Sequence, residues 1–113
     1  MKVNFKKDFI DCFGEQVKET IPAPTPENPQ GTKVTVVTVW ELMARHLFNL
    51  SALGGVAVKP DIKYKAYQLS CRIAKNPSEV ELSTEEAAFI KEVANEHLSA
   101  GAYGYLADII EGK

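Results

Sequence analysis

The chain has 113 residues, a formal net charge of −2 and 45% hydrophobic against 25% charged residues. That is enough length for one domain to bury a core without disulfide staples, and the composition is that of an ordinary globular protein. A slight acidic excess argues against a general nucleic-acid binder while leaving room for a local basic patch. No apolar run approaches 18 residues, which excludes a spanning helix, and the start, MKVNFKKDFIDCF, is too charged for a signal peptide. A cytoplasmic location is the expectation. Cys12 and Cys71 share no CxxC or CxH spacing, so both are expected to be reduced, buried thiols.

Along the chain, Lys2 to Phe5 has strand character. Phe9 to Phe13 is expected to pair with Gln16 to Thr20 as a hairpin around Gly14. Ile21 to Gly31, IPAPTPENPQG, carries four prolines and reads as an extended spacer loop. The β-branched Lys33 to Val37 is a short strand. Residues 1–38 thus form a β element, which is too small to fold alone and must lie on the rest of the domain.

Residues 39–113 read as helical. Thr38 and Glu41 fit a capping box for a helix from Val39 to about Leu50 or Leu53, with Val37 and Leu42 placed as a hydrophobic staple. Its core face is Val39, Leu42, Met43, His46, Leu47 and Leu50, Trp40 is expected to be partly covered, and Gly54–Gly55 ends it. Pro60 opens a second helix that stops at Asn76 ahead of Pro77, with Ile62, Ala66, Leu69 and Ile73 inward. Pro77 to Leu82 is a loop. Ser83 and Glu86 form a second capping box, and Ala87, Ile90, Val93, Ala94, His97 and Leu98 make one apolar stripe that Gly101 closes. Phe89 lies off that stripe beside Glu85, Glu92 and Glu96, either as the flank of a wide core face or as an exposed aromatic. Ala102 to Glu111 is a last short helix capped by Gly112. The fold class is α+β, mostly helical, with an N-terminal β-hairpin and short strands packed on about four helices as a single domain.

Charge divides the helical part. Lys59 to Lys75 holds five bases against Asp61, and Glu79 to Glu111 holds eight acids against Lys91. The plain reading is a basic and an acidic helix lying side by side with solvated outer faces. The sharper one is an acidic surface for a basic protein partner, with Phe89, Glu92, Glu96 and Tyr105 as contacts. An alternative is phosphate contact by Lys63, Lys65, Arg72 and Lys75, with Tyr64 and Tyr67 stacking on bases. Nucleic acid is disfavoured because the acidic remainder repels it, and a Glu-Glu first turn does not suit a recognition helix.

Chemistry leaves little trace. A zinc site from Cys12, His46, Cys71 and His97 is formally available, but its spacing matches no finger or catalytic pattern. Leu53-Gly-Gly-Val56 lacks the phosphate-loop spacing, and no nucleophile stands with a base. No metal, cofactor or enzymatic activity is expected.

Two segments carry a resemblance. MKVNFKKDFIDCFGEQV at the start and VELSTEEAAFIKEVA…GAYGYLADIIEG at the end resemble the opening strand and turn, and the capped closing helices, of small proteins encoded by tailed bacteriophages and prophages. The resemblance implies a phage context, host-cell cytoplasm and a non-enzymatic accessory role. It carries over no functional residue. Three functions follow in order: an accessory protein binding another protein, with a host factor as one candidate partner; a nucleic-acid-binding regulator using residues 59–75; and a self-associating assembly protein.

Overall fold

The computed structural model describes residues 1–113. Four helices carry the fold: α1 (Val39–Phe48), α2 (Pro60–Lys75), α3 (Thr84–His97) and α4 (Ala100–Glu111). Six short strands form three antiparallel pairs: β1 (Lys2–Val3) with β6 (Val80–Glu81), β2 (Lys18–Pro22) with β3 (Thr32–Val36), and β4 (Ala52–Leu53) with β5 (Val56–Ala57). The α+β, mostly helical class read from the sequence is the observed one. A single cluster of 19 buried apolar residues joins Val3, Phe5 and Phe9 of the N-terminal segment to the inward faces of all four helices.

The helices form where apolar spacing and caps agree. Ala66, Leu69 and Ile73 of α2 are buried, as are Ala87, Ile90, Val93 and Ala94 of α3. Ser83 accepts from the Glu86 N–H at 3.1 Å while the Glu86 carboxylate accepts from the Ser83 N–H at 2.9 Å, so this capping box is complete. The Thr38 box is not: its hydroxyl donates to the Glu41 carboxylate at 3.0 Å and caps no backbone N–H. Gly101 does not close α3. The helix stops at Leu98, and Ser99 accepts from the Ala102 N–H to start α4 with Gly101 inside it. Gly112 does close α4, in the left-handed conformation.

The strands depart further from expectation. Lys2 and Val3 pair with Glu81 and Val80, in a segment read as loop, and the N-terminal ammonium donates to the Leu82 carbonyl at 2.8 Å. This pairing clamps the connection between α2 and α3. The expected hairpin around Gly14 shrinks to one bridge, Ile10 with Gln16. The tip keeps two bonds beside that bridge, from the Asp11 N–H to the Glu15 carbonyl at 2.8 Å and from the Val17 N–H to the Phe9 carbonyl at 2.9 Å. Beyond it Val37 takes over: its carbonyl accepts from the Phe9 N–H and its N–H donates to the Val17 carbonyl, both at 2.9 Å, and residues 18–22 pair with residues 32–36. The proline loop is therefore the tip of a hairpin and no extended spacer. Thr25 and Asn28 exchange backbone hydrogen bonds across it, and the Ala23 N–H donates to the Gly31 carbonyl at 2.8 Å. A Cβ at residue 31 would lie 2.8 Å from the Ala23 carbonyl oxygen, so glycine is required there.

Gly54 and Gly55 do more than end a helix. Both have positive φ, 60° and 76°, and form the two-residue turn between β4 and β5. α1 has already stopped at Phe48.

Candidate functional site

The outward side of α2 is the least ordinary surface of the molecule. Its inward stripe, Ala66, Leu69 and Ile73, is matched on the opposite side by Tyr64, Tyr67, Cys71 and Ala74, again at alternating three- and four-residue spacing. All four are exposed, Tyr64 at 61% and Tyr67 at 49%. Phe48, at the end of α1, is 64% exposed beside them. The Phe48 and Tyr67 ring centroids are 6.3 Å apart and those of Tyr64 and Tyr67 are 6.1 Å apart, so the three rings form one continuous aromatic surface. A shallow groove runs on from it between α1 and α2, walled by Ala44, Phe48, Cys71 and Ala74. A helix with two apolar stripes has two faces to cover, and the fold covers one.

Basic residues are distributed around this surface unevenly. Lys63 and Lys75 are exposed and in no ion pair within the chain. Lys65 and Arg72 face α3 and are committed there. The Lys65 ammonium lies 4.7 Å from the centroid of the Phe89 ring. Arg72 donates to the Glu86 carboxylate at 2.9 Å and to the Glu81 carbonyl at 3.0 Å. Part of the charge division seen in the sequence is thus internal pairing between α2 and the start of α3. Burial alone pushes the Glu86 carboxyl up, but hydrogen bonds from the Ser83 N–H and from Arg72 outweigh it and hold the group below the ordinary value.

The residues expected to contact a partner are not brought together. Phe89 is 7% exposed and belongs to the core, because α3 buries a face wide enough to take it and the Lys65 stem closes over its ring. It offers no aromatic contact on the outer face, which is a correction to the expected site. Glu92 and Glu96 are exposed. Tyr105 is half-buried on a different side, its ring 5.5 Å from that of Phe9. It floors a cleft of about 560 Å³ between the residue 9–17 turn and α4, with Val37 and Leu42 below and Asp11, Cys12 and Asp108 among its polar lining. None of those polar side chains bonds another: Asp11 accepts from the Phe13 and Glu15 N–H groups.

Both cysteines are exposed, against the expectation of buried thiols. Cys71 lies on the outer stripe of α2, and Cys12 lies in the turn before Gly14. Of the four residues of the formal zinc set only the histidines meet. His46 and His97 stack with centroids 5.7 Å apart, and burial followed by the nearness of His97 pushes His46 down from the ordinary histidine value. His97 is exposed on the last turn of α3 and is no part of the buried stripe. No group of three or more His, Cys, Asp or Glu side chains is placed to hold a metal. No helix is long and apolar enough to cross a membrane.

Phe48 is the exposed aromatic that the sequence reading passed over. The signal was present: it falls between the core positions Leu47 and Leu50, where a surface residue is ordinarily polar. Tyr64 and Tyr67 were singled out, but only as partners for bases. No protein-family model, curated protein or solved structure matches this chain.

Proposed function

We propose that the chain is a non-enzymatic protein-binding module, of the accessory kind found in phages, whose contact surface is the outer side of α2 together with Phe48. The observation that supports this most is the contiguity of Phe48, Tyr67 and Tyr64, three rings about half exposed or more on a small domain. Large aromatics left uncovered in one patch mark interaction sites, and Tyr side chains are enriched where binding energy concentrates. The acidic outer face of α3 loses its claim because its aromatic, Phe89, is in the core.

The test is affinity capture from cells with three proteins: wild type, Phe48→Ser/Tyr67→Ser, and Glu92→Lys/Glu96→Lys. The reading expects capture of a protein partner by the wild type and the α3 variant and its loss from the aromatic variant. Equal capture by all three overturns it. So does salt-sensitive binding of single-stranded DNA or RNA that the aromatic variant loses, since that assigns the same rings to base stacking.

A further inference from the structure

Resting on that reading, we propose that the outer stripe of α2 is self-complementary and that the partner seated on it is a second copy of this chain, antiparallel, about a two-fold axis level with Leu69. Three features of the stripe carry this. First, size is divided along it: Tyr64 and Tyr67 fill the half toward the helix start, and Cys71 and Ala74 the half toward its end. An antiparallel copy centred at residue 69 sets Tyr64 against Ala74 of the second copy and Tyr67 against its Cys71. Each ring meets a small side chain, four times over by symmetry, as an interface of interior packing density requires. A parallel copy sets tyrosine on tyrosine and alanine on alanine, crowding one end and leaving the other hollow.

Second, the charges on one flank fit the same arrangement. Asp61, Gln68 and Lys75 follow one another at seven-residue spacing beside the stripe, and all three are exposed. Neither Asp61 nor Lys75 has an ion-pair partner within the chain. In an antiparallel helix pair this flank faces its own copy, which twice sets Asp61 near Lys75 of the second copy, offset along the axis by about 3 Å and within side-chain reach, with Gln68 beside Gln68 close to the two-fold. Lys63 falls on the other flank, so although the axis brings Lys75 of the second copy to its level, the two lysines stand on opposite sides of the seam. Third, an isologous contact of this kind closes on itself, which suits a face bounded by groove and solvent and leaves no open end to polymerise.

The experiment is sedimentation across concentration on the full chain, with charge exchange. Wild type is expected to pass from monomer to dimer as concentration rises. Lys75→Asp and Asp61→Lys each remove two cross-copy attractions and create two repulsions, and each is expected to raise the dissociation constant about tenfold. The double exchange is expected to restore it. Register is read by oxidation in a Cys12→Ser background, where Tyr67→Cys places a thiol opposite Cys71 of the second copy and is expected to give a covalent dimer. The substituted residues are exposed in the monomer, and circular dichroism at dilution shows that each variant folds. Covalent dimer from Cys71 alone at the same rate, or two single exchanges that leave the dimer unchanged, overturns the antiparallel seam. A wild type that stays monomeric, with Phe48→Ser/Tyr67→Ser still losing a captured protein, overturns the pairing and leaves the interaction surface standing. Monomer together with unaltered capture overturns both.

Discussion

Replacing Phe89 by alanine separates a core aromatic from a contact aromatic. Phe89 is 7% exposed within the buried cluster, and its ring carries the Lys65 ammonium at 4.7 Å. Truncating a buried phenylalanine removes about 3–5 kcal/mol of stability, the spread reflecting how far the site collapses. The ~0.5–1 kcal/mol of the Lys65 contact is part of that loss. Phe89 lies at the edge of the core, and the flexible Lys65 stem can settle into the space, so the low end applies and the expected loss is about 3 kcal/mol. At about 4 °C per kcal/mol for a domain of this size, Tm falls by roughly 12 °C. Phe48→Ser, at a ring 64% exposed, is expected to stay within about 0.5 kcal/mol of the wild type. The assay is thermal and urea unfolding followed by circular dichroism, at protein concentrations low enough that association adds no stability. A Phe89→Ala protein that melts with the wild type, or a Phe48→Ser protein that melts well below it, refutes the assignment of which aromatic is structural.

Two titrations follow from the geometry. Glu86 is held below its ordinary value of 4.5, so its ionised form stabilises the fold at pH values above that, and this contribution disappears as pH falls through the lower folded-state value. Glu86→Gln should therefore be less stable than the wild type at pH 7, with the gap closing under acid; a gap independent of pH contradicts the hydrogen bonds from Ser83 and Arg72. His46 is pushed below its ordinary 6.5 by burial and by His97, so neutral His46 suits the fold, and stability is lost as pH drops from 6.5 through the folded value. His97→Gln should raise the His46 midpoint, read by NMR, without bringing it fully back, because burial remains. An unchanged midpoint argues against the stacked pair.

How much of this was legible in the sequence differs by element. α2 was, because it carries its own start and stop, Pro60 and Pro77, and so was the start of α3, marked by Ser83 with Glu86; the stop expected at Gly101 was misplaced because Ser99 begins α4 before it. The strands were not, since a two-residue strand such as Val80–Glu81 has no pattern of its own and exists because Lys2 and Val3 reach it from the far end of the sequence. The hairpin around Gly14 was the local choice, and it survives only at its tip because Val37 bonds both Phe9 and Val17. Phe89 was ambiguous for a related reason. Spacing places it off the centre of the apolar stripe, and only the breadth of the face that α3 presents, with Lys65 above it, decides that it is covered. The outer stripe of α2 was written in the sequence at the same spacing as the inner one. A single helix cannot say which of two such stripes its own domain will bury.

The two exposed thiols allow the most direct test of the outer α2 surface. Cys71 lies in the middle of the proposed contact and Cys12 lies away from α2, in the turn before Gly14. Alkylation rates of both are measured in the producing cell and again on dilute, purified protein. The account predicts that Cys71 reacts several-fold more slowly in the cell than at dilution while Cys12 reacts alike in both. Cys71 and Cys12 reacting at unchanged relative rates in the two settings contradicts it, because a face that is never covered is not where this protein binds.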